Sequence, residues 1–416
     1  MNVKYPKSLN IIFSKLIMHG IKPIIVGGYV RDAILDIESN DIDVELYKVN
    51  SFEYVETLLN EFGPINSVGK SFGICKLKYK TLELDFSLPR TDSKISSGHQ
   101  GFHIEVNSSL DFKSASSRRD FTINAIGYDI KEKILLDPFH GIKDLKEKRL
   151  KAVNLKKFDE DPLRVLRAVM FSSRFDFTLE NSLFTKCKKM MQANVLQELP
   201  RERIFEEIKK ILLKSKKPSK GFLLLKHLDG FVFFKEFNFL KNREYEEILQ
   251  SLDIFQTYSL KNTNDKIVIS LALLSSKFSN EERNSFLNRV TNSKKTVEQV
   301  NKFVQTQYDL TNIDNYSIYK LATTVNIELY ILYLNALFHN KKEKEITKLK
   351  NKAKELGVLN KKKDALVTGK MLLAQNMKAS KRFSKILNDA YEAQMKEEFT
   401  NKQEATLWLK KYLSLF

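Results

Sequence analysis

The stretch Ile24-Ile25-Val26-Gly27-Gly28-Tyr29-Val30-Arg31-Asp32, followed nine residues later by Asp41-Ile42-Asp43, decides how the N-terminal third of this chain is read. Three consecutive β-branched residues predict a buried strand, two glycines end it, and Val30 onward reads as a helix. Glycines at such a turn let backbone N–H groups approach a phosphate, the helix N-terminus favours the anion, and Arg31 adds a charge-assisted contact. Asp41 and Asp43 stand two apart on a second predicted strand, so both carboxylates point to one side and can share a divalent cation. Alone, an acid-x-acid pair is weak, because chance supplies roughly six in a chain with this many acids. Glycine turn, arginine and aspartate pair in this order describe a site for a nucleoside triphosphate with magnesium.

Around this nucleus, Pro23 to Val26, Ile42 to Leu46, Ile74 to Tyr79 and Leu82 to Leu88 read as strands, and Val30 to Leu35 and Phe52 to Phe62 as helices. Ten of the 14 glycines fall between Gly20 and Gly141, and no proline follows Pro218. The first third is therefore turn-rich and mixed α/β, and the remainder helical. From about Lys151 apolar residues recur at three and four positions, as in Leu163, Leu166, Val169, Met170 and in Ile204, Ile208, Ile211, Leu212.

Further motifs follow in order: Ser117-Arg118-Arg119-Asp120-Phe121-Thr122-Ile123-Asn124-Ala125, then Asp137-Pro138-Phe139-His140-Gly141 with Asp144, then Glu160-Asp161-Pro162-Leu163-Arg164-Val165-Leu166-Arg167. With Thr368-Gly369-Lys370 and Ala390-Tyr391-Glu392-Ala393-Gln394 near the C-terminus, the chain resembles class II tRNA nucleotidyltransferases and bacterial poly(A) polymerases, within the polymerase-beta-like superfamily. The resemblance implies an α+β fold. A polymerase-beta-like mixed α/β head over residues 1–150 would be followed by an elongated all-helical neck (151–215), body (216–335) and tail (336–416). It implies template-independent addition of CCA to tRNA 3′ ends from CTP and ATP, with Mg2+ as cofactor. Poly(A) synthesis, or addition of A alone or CC alone, remains the alternative.

In that reading Asp41 and Asp43 hold the metal. Asp85 is the third catalytic carboxylate, with Glu45 competing for the role. Gly27, Gly28, Arg31, Arg119, Asp120, Asn124, Asp161, Arg164 and Arg167 bind the nucleotide. The base-selecting step can be argued from the residues: Asp161 and Arg164, three apart, would lie on one helix face with Arg167 a turn further on. A carboxylate accepting from an exocyclic amine beside a guanidinium donating to a ring nitrogen fits cytosine and adenine, whose pairing edges share that pattern. Uracil and guanine would leave both groups unmatched, at about 1 to 3 kcal/mol each. Relatives often carry arginine where this chain has Met170. The segment from Leu88 to Phe102, with Arg90 and Asp92, resembles the family's flexible loop, which switches selection from C to A. His99 and His103 in it lack the acids or cysteines that would complete a metal site.

Composition bounds the alternatives. Lys+Arg outnumber Asp+Glu 70 to 51, a formal charge of +19, which suits a polyanionic partner such as tRNA. Lys209, Lys210, Lys214, Lys216, Lys217 and Lys220 form one candidate contact patch. Residues 341–363 hold ten lysines against three glutamates, read equally as a solvated helix face or an RNA contact. With only Cys75 and Cys187 the chain suits a reduced, cytoplasmic setting, and no apolar run approaches a membrane span. No obligate protein partner is inferred. There is no His-Asp dipeptide, so phosphohydrolase activity is not expected, and His227-Leu228-Asp229 reads as a helix end before Gly230.

Overall fold

The structure, a computed structural model, describes residues 3–69, 73–94, 102–378 and 380–415, with backbone alone at 67–69, 92–94 and 102–104. By contacts the chain forms two compact units, Met1–Ser215 with Lys220–Lys235, and Lys216–Ser219 with Glu236–Phe416.

The first unit is built on a seven-stranded sheet. In chain order its strands are β1 (Lys22–Val26), β2 (Asp41–Tyr47), β3 (Ile65–Gly69), β4 (Ile74–Tyr79), β5 (Leu82–Ser87), β8 (Gly127–Asp129) and β9 (Ile134–Leu136). Their spatial order is β3-β4-β5-β2-β1-β8-β9, so β2 lies at the centre of the sheet. It pairs antiparallel with β1 and parallel with β5, in a register that sets Val26 and Asp85 on either side of Asp43. Alternation then sorts the side chains of β2. Ile42, Val44 and Leu46 are wholly buried on one face, which leaves Asp41, Asp43, Glu45 and Tyr47 on the other. The strands expected from sequence form with ends shifted by a residue.

Between Lys22 and Asp41 lies the short helix α2 (Gly28–Ile34). It packs on the same strands, as α3 (Phe52–Asn60) does on β3 and β4. Ser51 caps α3 by accepting from Tyr54 N–H. Two strands outside the main sheet, β6 (Arg90–Lys94) and β7 (Phe102–Val106), pair with each other as an antiparallel hairpin. The flanks of the segment read from sequence as a flexible loop thus pair as two strands. His99 and most of the Ser97-to-Phe102 stretch lie outside the described residues, as do residues 70–72 and the side chains of Asp92 and His103.

Helices complete this unit: α6 (Leu163–Phe175), α7 (Asn181–Gln192) and α8 (Arg201–Lys214), with α9 (Pro218–His227) entering it after Ser219. The residues whose periodicity marked α6 and α8 are all buried, Met170 among them. A Cβ on Gly221 of α9 would stand 3.0 Å from Ser173 and 3.1 Å from Ile211, so close approach to α6 and α8 favours glycine there. The sequence reading of His227-Leu228-Asp229 holds: α9 stops at His227, and Asp229 adopts a left-handed φ of 61° before Gly230.

The second unit is helical throughout its described residues, from α10 (Asn242–Gln256) and α11 (Thr263–Leu274) to α18 (Lys381–Met395) and α19 (Lys402–Leu413). Asn262, Ser279, Ser293, Asp314, Asn326, Ser380 and Asn401 each cap a helix of this unit through the side chain. The lysine-rich run includes α16 (Glu343–Glu355), which buries Ile346, Leu349 and Ala353 and exposes Lys344, Lys348, Lys350 and Lys354. No helix among the described residues is long and apolar enough to cross a membrane.

Candidate nucleotidyl-transfer site

The turn after β1 requires its glycine. Gly27 has φ 72°, a conformation L side chains rarely adopt, and a Cβ there would meet Arg119 Nη1 at 2.6 Å. Its position thus brings the backbone against the Arg119 guanidinium, with Asp43 Oδ2 3.8 Å from the same point. Gly28 starts α2, and beside it opens a cavity of about 890 Å3. Asp32, Glu38, Asp41, Asp43 and Glu83 supply its acids, while Arg31, Arg174, Lys214, Lys78 and Lys80 supply its cations.

Within the acidic group each carboxylate has a different environment. Burial pushes the Asp43 carboxyl up to about 6; Arg119 opposes this, while Asp41, Asp85 and Glu45 add to it. Asp85, beside Asp43 in register, accepts from Lys76 Nζ at 2.7 Å. Glu45 is 1% exposed and fully engaged: Arg118 and Arg119 reach Oε1 at 3.1 Å and Tyr47 donates to Oε2 at 2.8 Å. Burial opposes its charge, but the two arginines and the tyrosine hydroxyl hold its carboxyl below the usual range. Glu45 therefore anchors Arg118 and Arg119, and Asp85 is the carboxylate placed beside Asp43.

From the arginine pair a buried hydrogen-bond chain runs to the helices. Asp120, held below the ordinary carboxylate range by Arg167, Asn124 and the Phe121 N–H against the cost of burial, accepts from Arg167 Nε at 2.7 Å and Asn124 Nδ2 at 2.9 Å. Asn124 Oδ1 accepts from Arg31 Nη1 at 2.6 Å. Arg31 also donates from Nε to Asp32 at 2.7 Å, and Asp32 accepts in turn from Arg174 Nη2 at 3.0 Å. Arg31 is thus a buried member of the cavity wall, 4% exposed and stacked on Phe171 and Phe175, rather than a free phosphate arm.

The base-reading pair departs from expectation. Asp161 does not share a helix face with Arg164: α6 begins at Leu163, and Asp161 is extended at φ −118°, ψ 106°. Pro162 explains this, because the residue before a proline is excluded from the helical region. Asp161 instead accepts from Leu163 N–H at 3.1 Å and lies 3.4 Å from Arg203. Arg164 donates to the carbonyls of Lys157 at 2.8 Å and Arg118 at 3.0 Å, which ties α6 to the arginine pair. Both side chains remain partly exposed. Met170 is buried in α6.

The Asp137 segment has a structural role. Asp137 accepts from Gly141 N–H at 2.7 Å and Ile142 N–H at 3.0 Å, capping α5 (Gly141–Lys146), and buried Asp144 accepts from Thr122 at 2.7 Å. A Cβ on Gly141 would collide with the Thr122 carbonyl at 2.2 Å. Of the lysine patch, Lys209, Lys210 and Lys220 are each held by a carboxylate, Glu206, Glu207 and Asp176 respectively. Sequence reading missed Asp32 and Arg174. The available signal was Arg174 seven residues beyond Arg167, hence on the same helix face.

Two family models match the chain. Residues 24–151 match the poly A polymerase head domain, and residues 176–239 the probable RNA and SrmB-binding site of polymerase A. A CCA-adding enzyme of Lactococcus lactis subsp. cremoris is 29% identical over 411 residues, 97% of this chain and 96% of the relative. The chain is thus similar to poly A polymerases in its head and to CCA-adding enzymes along nearly its whole length. The similarity in fold extends through the helices. A CCA-adding enzyme in complex with CTP superposes with a TM-score of 0.70 at 21% identity, covering 99% of this chain and 99% of that one. The Thermotoga maritima CCA-adding enzyme complexed with tRNA gives 0.67 at 21% identity, covering 99% and 97%.

Proposed function

We propose that this chain is a template-independent tRNA nucleotidyltransferase that completes tRNA 3′ ends with C, C and A from CTP and ATP, acting in the cytoplasm. The observation that carries the reading is the alignment of Asp43 between the Gly27 turn and Asp85, in a cavity with Asp41 and a cationic wall. The named relatives along the whole chain favour CCA addition over poly(A) synthesis.

Asp41 and Asp43 fit a magnesium ion. They share one face of β2, where burial, with Asp41, Asp85 and Glu45, raises the Asp43 carboxyl against the pull of Arg119, so a cation there would offset the cost of its charge. No group of three such ligands is preassembled among the described residues, which suits an ion that completes its shell with water and substrate phosphates. When bound, the cation offsets charge on the transferring phosphoryl group and the pyrophosphate. In our assignment Asp85 receives the proton of the tRNA 3′-hydroxyl. The O3′–Pα bond forms, the bond from Pα to the bridging oxygen breaks, and pyrophosphate departs with the electron pair. Gly28, the first residue of α2, brings its backbone N–H to the phosphates, while the Gly27 N–H is held by the Ile126 carbonyl at 3.2 Å and shapes the turn. Glu45 fixes Arg118 and Arg119 in place, the chain of Arg31, Asn124, Asp120 and Arg167 braces the turn against α6, and Asp161 with Arg164 reads the base. The head (1–150) and neck (151–215) thus carry the chemistry, and body and tail hold the tRNA.

Incubating the protein with tRNA that lacks its 3′ end and with each labelled nucleotide tests the assignment. Products ending in CCA, with UTP and GTP excluded, are expected. Long A tails without C incorporation would make it a poly(A) polymerase instead. Asp41→Ala and Asp43→Ala should each abolish transfer and leave tRNA affinity within about threefold, since phosphate-backbone binding uses other surfaces; wild-type turnover by either would overturn the metal assignment.

A further inference from the structure

The cavity beside β2 holds an imbalance that the catalytic carboxylates do not use. At one wall Asp32, 4% exposed, is shared by two guanidiniums: Arg31 donates to it at 2.7 Å and Arg174 at 3.0 Å. One buried carboxylate thus answers two buried or half-buried cations. The aromatic ring of Phe175 fixes both, lying 4.8 Å from the Arg31 guanidinium carbon and 4.6 Å from that of Arg174. Lys214, the last residue of α8, adds a third cation to this wall. It has no ion pair among the described residues, unlike Lys209 and Lys210 on the same helix. Burial, Arg174 and Lys210 all push its ammonium below the usual lysine range.

Across the cavity stand the carboxylates of Asp41 and Asp43, which form no ion pair among the described residues. Charge of both signs is left unneutralised within one concavity, yet the two sets do not pair. Such an arrangement suits a ligand that is a polyanion carrying divalent cations: the acids meet its metal, the cations meet its outer phosphates. Met170 is buried and cannot supply a cation, and Arg174, one turn further along α6, reaches the cavity.

We infer that Lys214 and Arg174, from the helices that follow the head, bind the β- and γ-phosphates of the incoming nucleotide and the pyrophosphate that leaves. Lys214 acts as a charge and hydrogen-bond donor, and no proton changes hands on it. The inference rests on the nucleotidyl-transfer reading and assigns the pyrophosphate side of that site.

The test uses Lys214→Ala, Lys214→Glu and Lys214→Arg in the full chain, and measures inhibition by inorganic pyrophosphate, nucleotide KM and tRNA KM in parallel. Loss of one charge-assisted hydrogen bond predicts about a tenfold rise in the pyrophosphate inhibition constant for Lys214→Ala. Lys214→Glu should raise it further and Lys214→Arg should restore it to within about threefold, with tRNA KM unchanged. Titration of the free protein with pyrophosphate by calorimetry must show the same order, and this readout needs no turnover. An unchanged inhibition constant, or a rise confined to tRNA KM and its salt dependence, overturns the inference. If the wild type incorporates no nucleotide yet binds pyrophosphate through Lys214, the parent reading fails and the anion site stands. Melting temperatures confirm folding, and Lys214→Arg keeps the test decisive if either other variant unfolds.

Discussion

Gly27, in the turn after β1, and Asp43, on β2, illustrate how the proposed site is held against stability. A side chain at Gly27 would face both an unfavourable φ of 72° and a 2.6 Å contact with Arg119. Gly27→Ala should cost about 1 to 2 kcal/mol in denaturant unfolding and lower nucleotide incorporation at least tenfold, because Arg119 must move. Asp43 makes the opposite trade. Its carboxyl is raised to about 6 in the folded metal-free protein, from an ordinary value near 3.9 when unfolded. The folded state therefore binds the proton more readily, and the ionised form costs stability above about pH 6. Asp43→Asn should stabilise the metal-free protein by on the order of 2 kcal/mol at pH 8 while abolishing transfer, and the gain should shrink as pH falls from 7 towards 4. For the same reason Mn2+ binding to the wild type should weaken about tenfold per pH unit below 6, measured by titration. A gain that grows on acidification would show that folding lowers the Asp43 carboxyl instead of raising it, and a gain independent of pH that folding leaves it unmoved.

At the level of elements, the bond between Asp120 and Arg167 joins the arginine-rich turn to α6. Removing one member leaves the other charge buried, so Asp120→Ala should destabilise by about 3 kcal/mol. The double variant with Arg167→Met should be less unstable than the sum of the single changes, since neither charge is then orphaned. If the effects add, the pair is uncoupled. Much of this connection was legible: the glycine turn, the aspartate pair and the apolar spacing of α6 and α8 are local patterns, and local patterns fix local structure. The place of Asp161 was misjudged because the motif was read as one helix although Pro162 excludes it. The roles of Glu45, Asp32 and Arg174 were hidden for another reason, since each depends on partners brought up by tertiary folding, as Arg118 is to Glu45 across 73 residues. The hairpin of β6 and β7 lay under a resemblance to a flexible loop. Among the described residues its strands pair with each other and are not members of the seven-stranded sheet, so it can shift without breaking that ladder. Replacing residues 91–101 by a short Gly-Ser linker should leave two C additions nearly intact and suppress the terminal A. Equal loss of both would make the hairpin a general binding element.

For the molecule as a whole, a charge of +19 requires that tRNA affinity fall steeply with salt. If the exposed lysines of α16 neutralise phosphates, reversing Lys344, Lys348, Lys350 and Lys354 to Glu should flatten the slope of log affinity against log salt. The expected change is about 0.7 to 0.9 for each phosphate that is no longer neutralised. The four are exposed on a helix whose apolar face is buried elsewhere, so melting behaviour should change little. An unchanged slope would leave α16 as a solvated face. The two cysteines bear on how any of this is observed. Cys75 and Cys187 are both buried, and burial pushes each thiol up to about 12, where almost no thiolate forms at neutral pH. Maleimide reagents attack the thiolate, so the native protein should take up label slowly, and a thiol introduced at the exposed Thr91 on β6 should react far ahead of the other two. A fluorophore there would report hairpin motion between the second C and the terminal A, with no need to engineer out the cysteines the protein already has.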